Sequence, residues 1–334
     1  MRLDSALRRL FFKSLRASSL NYFSYSHKNG FLYILVFHRV NDDNSSFYPA
    51  VPTSAFEGIC RFLSKKFKVI SISEIDEYFE KTRSPAAIFS FDDNYYDILE
   101  NAYPILKKYG LKFNVNIITE CLESGLPQDG GKVYDVLNTT EKREYVNTEI
   151  LSEPIRINID KTSPSKTELA FSKLFRRLNK KERRLIADDV VKKLANSSTK
   201  FSRMLSKEDV VYLKKEGAEI GSHTHSHPIL INSDISEIEF ELVHSKKILE
   251  DLCGGEINII AFPQGMHNKT VVQKSFELGY KYLLLTENKE NIVDNPGNTM
   301  FYRIGLYHNT ADENLAKIFG FHEAVHSLIG KFRP

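Results

Sequence analysis

The chain has 334 residues, a 42% hydrophobic content and a net charge of +3, which allows one large folded domain or two small ones. So mild a charge, with no run of Lys and Arg interleaved with aromatic residues, argues against a nucleic-acid-binding protein. Its three cysteines form no CxxC pair, which argues against a disulfide framework and a cysteine zinc site and favours a reducing compartment.

Residues 1–30 are predicted to form an N-terminal amphipathic helix and a polar linker. At about 100° per residue, the leucines and Phe11 of residues 2–16 gather on one face, and Arg2, Arg9, Lys13 and Arg16 gather on the other. Two interpretations stay open: peripheral contact with an anionic membrane surface, or a helix packed on the domain. We find no secretory signal and no apolar run long enough to span a membrane, so we expect a cytoplasmic protein, with the inner membrane face as its place if residues 2–16 bind lipid.

From residue 31 onward, buried strands alternate with amphipathic helices. Such repeated units predict an α/β fold with a parallel sheet, closed as a barrel or doubly wound. Glycines and prolines followed by charged helices interrupt the alternation between residues 121 and 204, which we interpret as a helical and irregular insertion. We therefore expect one domain over residues 31–320, followed by a C-terminal tail, 321–334. The strands are predicted at 31–37, 68–72, 86–91, 112–118, before His223, and at 257–262, 281–285 and 301–306.

Polar residues follow the carboxyl ends of four predicted strands. His38, Asp92 and Asp93, His223, and Gln264 all stand at such ends. In parallel α/β sheets the chemistry lies at this edge. The agreement among four strands predicts a functional site there.

Three of the 10 histidines, His223, His225 and His227, fall within five consecutive residues. Imidazole is a common metal ligand, and a tight turn would aim two rings four residues apart at one ion. A catalytic ion usually takes a third protein ligand, and Asp92 or Asp93 could supply it. Because side chains alternate along a strand, these two carboxylates should have different partners. The alternative is that an aspartate here only caps the helix beginning near Asn94.

Two motifs resemble those of the polysaccharide deacetylases, the NodB-homology group of carbohydrate esterase family 4. Ser90-Phe91-Asp92-Asp93-Asn94 resembles Thr-Phe-Asp-Asp-Gly, and His223-Thr224-His225-Ser226-His227 fits His-(Ser/Thr)-x-x-His. Flanking sequence is similar to the family as well, over residues 31–120 and 204–306. The resemblance implies a distorted (β/α) barrel of about seven parallel strands.

The resemblance also implies roles for the motif residues. Asp93, His223 and His227 would bind a divalent metal, most simply zinc, and Asp92 would be the base that deprotonates the attacking water. His225, between the two ligands, would be structural or would support them. The position of His38 at the end of the first strand, independently of the resemblance, leaves three roles open: facing the substrate, supporting the ligands, or packing at the end of its strand.

The family's third motif, Arg-x-Pro-Tyr, aligns with Ala261-Phe262-Pro263-Gln264. Its arginine, which orients the catalytic aspartate in the family, is Ala261 here, so we expect Asp92 to lack that partner. Gln264 could still offer its backbone N–H to an oxyanion. Leu306-Tyr307-His308 matches a late Leu-x-His motif, which would make His308 the general acid, although a surface loop histidine is an equal alternative.

The resemblance implies hydrolysis of an N-acyl group, most simply N-acetyl, from an amino sugar of a cell-envelope polysaccharide or its lipid-linked precursor. Deformylation of a formamido sugar or O-ester cleavage would use the same attack by hydroxide. A catalytically weakened carbohydrate-binding homologue is an alternative from another class, favoured by the missing arginine. An amidohydrolase-type barrel is a further alternative, but its histidine pair normally ends the first strand.

Overall fold

The computed structural model describes residues 29–43, 47–294, 297 and 299–320. The predicted amphipathic helix of residues 2–16 and the tail 321–334 lie outside this range. None of the helices in the described residues is both long and apolar enough to cross a membrane.

A nearly closed barrel forms the main body of the described chain. The strands of the described residues are β1 Phe31–Phe37, β2 Lys68–Val69, β3 Ala86–Phe91, β4 Phe113–Ile117, β5 Glu144–Asn147, β6 Ile155–Asn158, β7 Ala218–Ser222, β8 Ile259–Ala261, β9 Tyr282–Leu284, β10 Asn291–Ile292, β11 Met300–Phe301 and β12 Ile304–Gly305. The barrel strands run parallel in the order β1, β3, β4, β7, β8, β9 and β11, and β2 pairs with the start of β3. This confirms the predicted α/β barrel of about seven parallel strands.

Helices connect the strands and cover the outside of the barrel. Several begin with capping side chains, such as Ser206, which accepts from the N–H of Asp209 and forms a capping box with it. The helices are α1 Thr53–Lys66, α2 Ile75–Lys81, α3 Tyr103–Lys108, α4 Thr119–Ser124, α5 Asp129–Thr139, α6 Pro164–Phe175, α7 Lys180–Leu194, α8 Lys207–Lys215, α9 Ile235–Cys253, α10 Lys269–Glu277 and α11 Ala311–Ile318. Shorter turns are the 3-10 helices Ile72–Glu74, Leu230–Asn232 and Pro263–Gly265 and the π-helix Ile98–Ala102.

The last strand of the barrel is interrupted, not continuous as predicted for residues 301–306. Its first half, β11, pairs with β9, and its second half, β12, pairs with β1. Pairing therefore passes from one side of the gap to the other at Tyr302 and Arg303, and this short segment closes the sheet. The short strand β10 pairs antiparallel with the start of β1.

The barrel interior changes from apolar to polar along the strands. Side chains alternate across a strand, and the inward positions begin with residues such as Leu32 and Ile34, which belong to a buried apolar cluster. Toward the carboxyl ends the buried positions are polar, among them Ser90, Asp92 and Asn116. The apolar half holds the barrel together, and the polar half forms its functional end.

The segment between β4 and α8 contains a second apolar core. The hairpin of β5 and β6 packs with helices α5, α6 and α7 around buried residues that include Val136, Tyr145, Phe171 and Ile186. We refer to residues 121–204 as the insertion.

Candidate metal centre and active site

Three of the predicted residues meet at the carboxyl end of the barrel. Asp93 follows β3 and His223 follows β7, which are separated in the sheet only by β4. Together with His227 they offer three ligand atoms that all lie within 4.8 Å of one another. The topology thus explains how residues more than a hundred positions apart come together.

The two histidines direct the same kind of atom at Asp93. Nε2 of His223 and Nε2 of His227 each lie 3.5 Å from Oδ1 of Asp93. The Nδ1–H of His223 donates to the carbonyl of Ala261 at 2.7 Å, which fixes the tautomer with a free lone pair on Nε2. This is the form in which a neutral imidazole binds a metal.

Backbone strain is concentrated in these loops. Asp93, Thr224, His227 and Gln264 are non-glycine residues with φ values of 68°, 68°, 59° and 54°. Residues other than glycine, asparagine and aspartate rarely adopt such backbone conformations. These conformations persist where the surrounding structure imposes them, often at functional sites. At Asp93 the positive φ ends the strand's alternation and turns its carboxylate toward the histidines.

The electrostatics of the cluster favour an ionised Asp93 beside a neutral His227. Burial acts to raise the pKa of Asp93, but the neighbouring His223 and His227 hold that pKa well below its usual range. Burial lowers the pKa of His227 to about 3. For His223 burial also acts downward, but Asp92 and Asp93 outweigh it and raise the pKa. A cation bound between these groups would replace the proton that they attract.

The donor set fits a divalent transition metal. Oδ1 of Asp93 is buried and has no hydrogen-bond partner in the described part of the chain, which is costly unless another group satisfies it. One carboxylate oxygen and two imidazole nitrogens are a common set for a catalytic ion that keeps a position open.

Asp92 is held by an arginine that the sequence analysis missed. Nη1 of Arg303 donates to Oδ1 of Asp92 at 2.8 Å, and the arginine side chain is completely buried. The expectation that Ala261 leaves Asp92 without an arginine is therefore wrong: the guanidinium comes from the interrupted last strand instead. The one available signal was a charged residue inside a predicted buried strand.

A second donor fixes the same oxygen of Asp92. Nδ2 of Asn116, on β4, donates to Oδ1 at 2.7 Å. Oδ2 of Asp92 lies 3.9 Å from Nε2 of His223, so it faces the metal cluster. Burial acts to raise the pKa of Asp92, but Arg303 and His223 outweigh it and hold the pKa well below its usual range. Asp92 is thus an ionised carboxylate with one oxygen anchored and the other directed at the site.

Tyr48 is another residue that the sequence did not indicate. Its hydroxyl donates to Oδ2 of Asp93 at 2.9 Å, and its ring stacks on Tyr134 of the insertion at 5.4 Å. Burial and the nearby Asp93 raise the pKa of Tyr48 well above its usual range, so it stays a neutral donor. His38 lies beside it, with ring centroids 5.9 Å apart.

His225 faces away from the other two histidines. Its Nδ1 lies 2.9 Å from Oγ1 of Thr119, and its ring packs against Phe240 and His244 of α9. A structural or supporting role for His225 stays a prediction.

Gln264 and His308 belong to the same end of the barrel. Gln264 lies in the turn after β8, and its side-chain Oε1 accepts from Nε of Arg176 in the insertion at 2.7 Å. His308 follows β12, and its Nδ1 lies 3.6 Å from Oε1 of Glu313. Because β12 runs beside β1, His308 lies at the edge that also carries His38.

Comparison with known proteins points to one family. Residues 178–283, less than half of the chain, match the model of the polysaccharide deacetylase family. The Bacillus subtilis (strain 168) protein YxkH, whose name assigns it provisionally to the polysaccharide deacetylases, is 20% identical over 258 residues. That match covers 76% of this chain and 64% of YxkH, so the chain spans less than two thirds of this relative.

Two solved structures share the fold. The Streptococcus pyogenes deacetylase PplD in complex with acetate is 19% identical, with a TM-score of 0.58 over 87% of this chain and 99% of PplD. IcaB from Ammonifex degensii is 14% identical, with a TM-score of 0.55 over 88% of this chain and 97% of IcaB. The matches confirm the resemblance to the polysaccharide deacetylases that the motifs indicated.

Proposed function

We propose that the protein is a metal-dependent hydrolase that removes an N-acetyl group from an amino sugar of a cell-envelope polysaccharide or its lipid-linked precursor. The observation that carries the proposal is the buried oxygen of Asp93 between two Nε2 atoms, beside the ionised Asp92. We assign the activity to the domain of residues 31–320, with the insertion contributing to the rim of the site.

Asp93, His223 and His227 would hold the metal ion, for which we propose zinc. When bound, such an ion polarises the acyl carbonyl and makes water a stronger nucleophile near neutral pH. The neutral state of His227 suits this role, since a protonated imidazole cannot bind a cation.

Asp92 would accept the proton of the attacking water. Arg303 and Asn116 anchor its Oδ1, which leaves Oδ2 to receive the proton. A carboxylate with a depressed pKa is deprotonated throughout the neutral range, so it is ready to act as a base. The same anchors fix its orientation, and orientation contributes much of the rate in such sites.

Two further residues would complete the reaction. The backbone N–H of Gln264 would donate to the oxyanion that forms when the amide carbonyl is attacked. His308 would give a proton to the leaving amine of the sugar.

A polysaccharide as substrate is supported by the family match, and acetyl as the acyl group is supported by the acetate in the related PplD structure. The insertion brings Arg176 and Tyr134 to the rim, where they could contact a saccharide. We extend the proposal to a cytoplasmic location with membrane contact through residues 2–16. Deletion of residues 2–16 should then lower recovery with anionic vesicles in a flotation assay, and unchanged recovery would contradict this part.

The proposed function is tested by measuring the carboxylic acid, acetate or formate, that is released from defined substrates. Purified protein with zinc should release acetate from N-acetylated glucosamine oligomers, and Asp92→Asn should abolish release while retaining the metal. Formate release from a formamido sugar would identify a deformylase, and acetate release from O-acetylated glycans alone would identify an esterase. Glycan binding without release of any acid would support the catalytically weakened binding protein and overturn the proposal.

The role of His308 has a test of its own. His308→Gln should slow amide substrates much more than activated aryl esters, because an aryloxide leaves without a proton. An equal loss for both substrate types would contradict the role of general acid.

A further inference from the structure

The loop that carries the two histidines is bound by an arginine of the insertion. Arg183, on α7, is 4% exposed. Its Nη1 donates to the backbone carbonyl of His227 at 2.6 Å, and its Nη2 donates to the carbonyl of Ser226 at 3.2 Å. One planar guanidinium thus binds two consecutive carbonyls of the loop.

The other side of this guanidinium is tied to the insertion. Nε of Arg183 lies 3.4 Å from Oδ2 of Asp129, a buried residue at the start of α5. Oδ1 of Asp129 lies 2.7 Å from Nε of the next residue, Arg184. The position of Arg183 is therefore set by two helices of the insertion.

A carboxylate of helix α9 also holds this loop. Glu241 on α9 is fully buried, and its Oε2 accepts from the backbone N–H groups of His225 and Ser226 at 2.9 Å and 2.8 Å. Lys180, also on α7, donates to Oε1 of Glu241. The peptide groups of the loop are thus held by an anion on one side and a cation on the other.

The loop needs such support because its backbone is strained. Thr224 and His227 have positive φ values, and such residues keep this conformation only where their surroundings enforce it. The bond from Arg183 fixes the carbonyl of His227, and with it the direction of the bond from Cα to Cβ of that residue. The imidazole is thereby directed toward Asp93.

We propose that Arg183 is a positioning residue for His227, so that the insertion is part of the metal centre and not only a rim around the substrate. The inference rests on the proposed metal binding by Asp93, His223 and His227. It assigns to α7 the task of holding one ligand in register with the other two.

Metal affinity of paired variants tests this role. Arg183→Gln should weaken Zn²⁺ binding about 10- to 100-fold, as loss of groups that orient metal ligands does. It should also alter the visible absorption of the Co²⁺-substituted protein. Arg184→Gln is the matched control, since it removes the same charge one residue away and shares Asp129, but its other partner is Glu120. We expect the control to keep the affinity and spectrum of the starting protein.

The outcomes separate the two proposals. If the unaltered protein binds no Zn²⁺ or Co²⁺, the proposed metal centre itself fails. If it binds metal and folded Arg183→Gln binds equally well with an unchanged Co²⁺ spectrum, only the positioning role fails. Should Arg183→Gln not fold, Arg183→Lys keeps the charge beside Asp129 and offers a single donor group. An intermediate loss of affinity in Arg183→Lys would support the role, and an unchanged affinity would overturn it.

Discussion

Nη1 of Arg303 lies 2.8 Å from Oδ1 of Asp92, although 211 positions separate the two residues. The guanidinium also donates to the carbonyl of Leu285 through Nε. It is therefore fixed at both ends inside the barrel. A fully buried arginine is rare unless it is paired, and here its partner is the carboxylate that we propose as the catalytic base.

Replacing Arg303 should change the pH dependence of the reaction. In Arg303→Gln, burial is no longer outweighed by the arginine, so the pKa of Asp92 should rise. A base must be deprotonated, so a raised pKa moves the acidic limb of kcat/KM to higher pH and leaves the alkaline limb in place. Below the new pKa, activity should fall about tenfold per pH unit.

Arg303→Lys is the control for this prediction. It keeps a positive charge near Asp92 but loses the planar donor geometry, so its acidic limb should move less. An acidic limb at the same pH in Arg303→Gln and in the unaltered protein would contradict the proposed coupling.

Loss of a proposed ligand should lower the metal content of the purified protein. Asp93→Ala and His227→Ala each remove one of three ligand atoms, and we expect less than one tenth of the normal metal after dialysis, measured by inductively coupled plasma mass spectrometry. His225→Ala is the matched control, because that ring packs on Phe240 and His244. Full metal content in both ligand variants would contradict the assignment.

The hydroxyl of Tyr48 should strengthen metal binding through Asp93. Tyr48→Phe keeps the ring that stacks on Tyr134 but removes the donor to Oδ2 of Asp93. Comparable losses weaken metal binding about 10- to 100-fold, and competition with a chromogenic chelator would measure the change. Tyr134→Phe, which retains the stacked pair of rings, should have a smaller effect. Equal affinities in the two variants would argue against a role for the Tyr48 hydroxyl.

A methyl group at Gly221 should disturb the anchoring of Asp92. A Cβ there would lie 2.3 Å from Oδ1 of Asn116 and 2.9 Å from Cγ2 of Ile259. Asn116 donates to Asp92, so Gly221→Ala should lower kcat as well as the free energy of unfolding, the latter by about 1–3 kcal/mol. Urea denaturation and acetate release would measure the two effects.

Gly255→Ala provides the comparison for Gly221→Ala. A Cβ at Gly255 would have only the flexible Nζ of Lys214 nearby, at 3.7 Å. Stability and activity should both stay close to normal in that variant. If Gly221→Ala behaves in the same way, the close packing of Gly221 against Asn116 does not matter for the site.

Local sequence patterns were sufficient to predict an α/β fold with a parallel sheet, and the resemblance to the polysaccharide deacetylases added the expectation of a barrel. Continuous apolar strands such as β1 and the alternation with helices give a periodicity that requires no knowledge of distant contacts. The polar residues at strand ends could be assigned to one edge for the same reason. The predicted ligands Asp93, His223 and His227 do lie together in the structure, because parallel topology brings strand ends together whatever their separation in the chain.

The partners of these residues could not be predicted in the same way. Arg303 reaches Asp92 from an interrupted strand, and a periodic pattern does not show where pairing passes from β9 to β1. Tyr48 and Arg183 contact the site from a loop and from the insertion, whose packing depends on contacts that local propensity does not encode. The third motif shows that its arginine is replaced by Ala261. Local patterns do not indicate that Arg303 lies beside Asp92 instead.

The closing segment of the barrel has a consequence for biosynthesis. β11 and β12 join the two open edges of the sheet, and Arg303 lies between them. A growing chain emerges from the ribosome with its N-terminal part first, so β1, β3 and Asp92 are available long before the arginine is synthesised. Until then the carboxylate lacks its cation and the sheet keeps two unpaired edges. The final barrel and the anchored base can form only once residues 300–305 have left the ribosome, so assembly of this half of the site is a late event in folding.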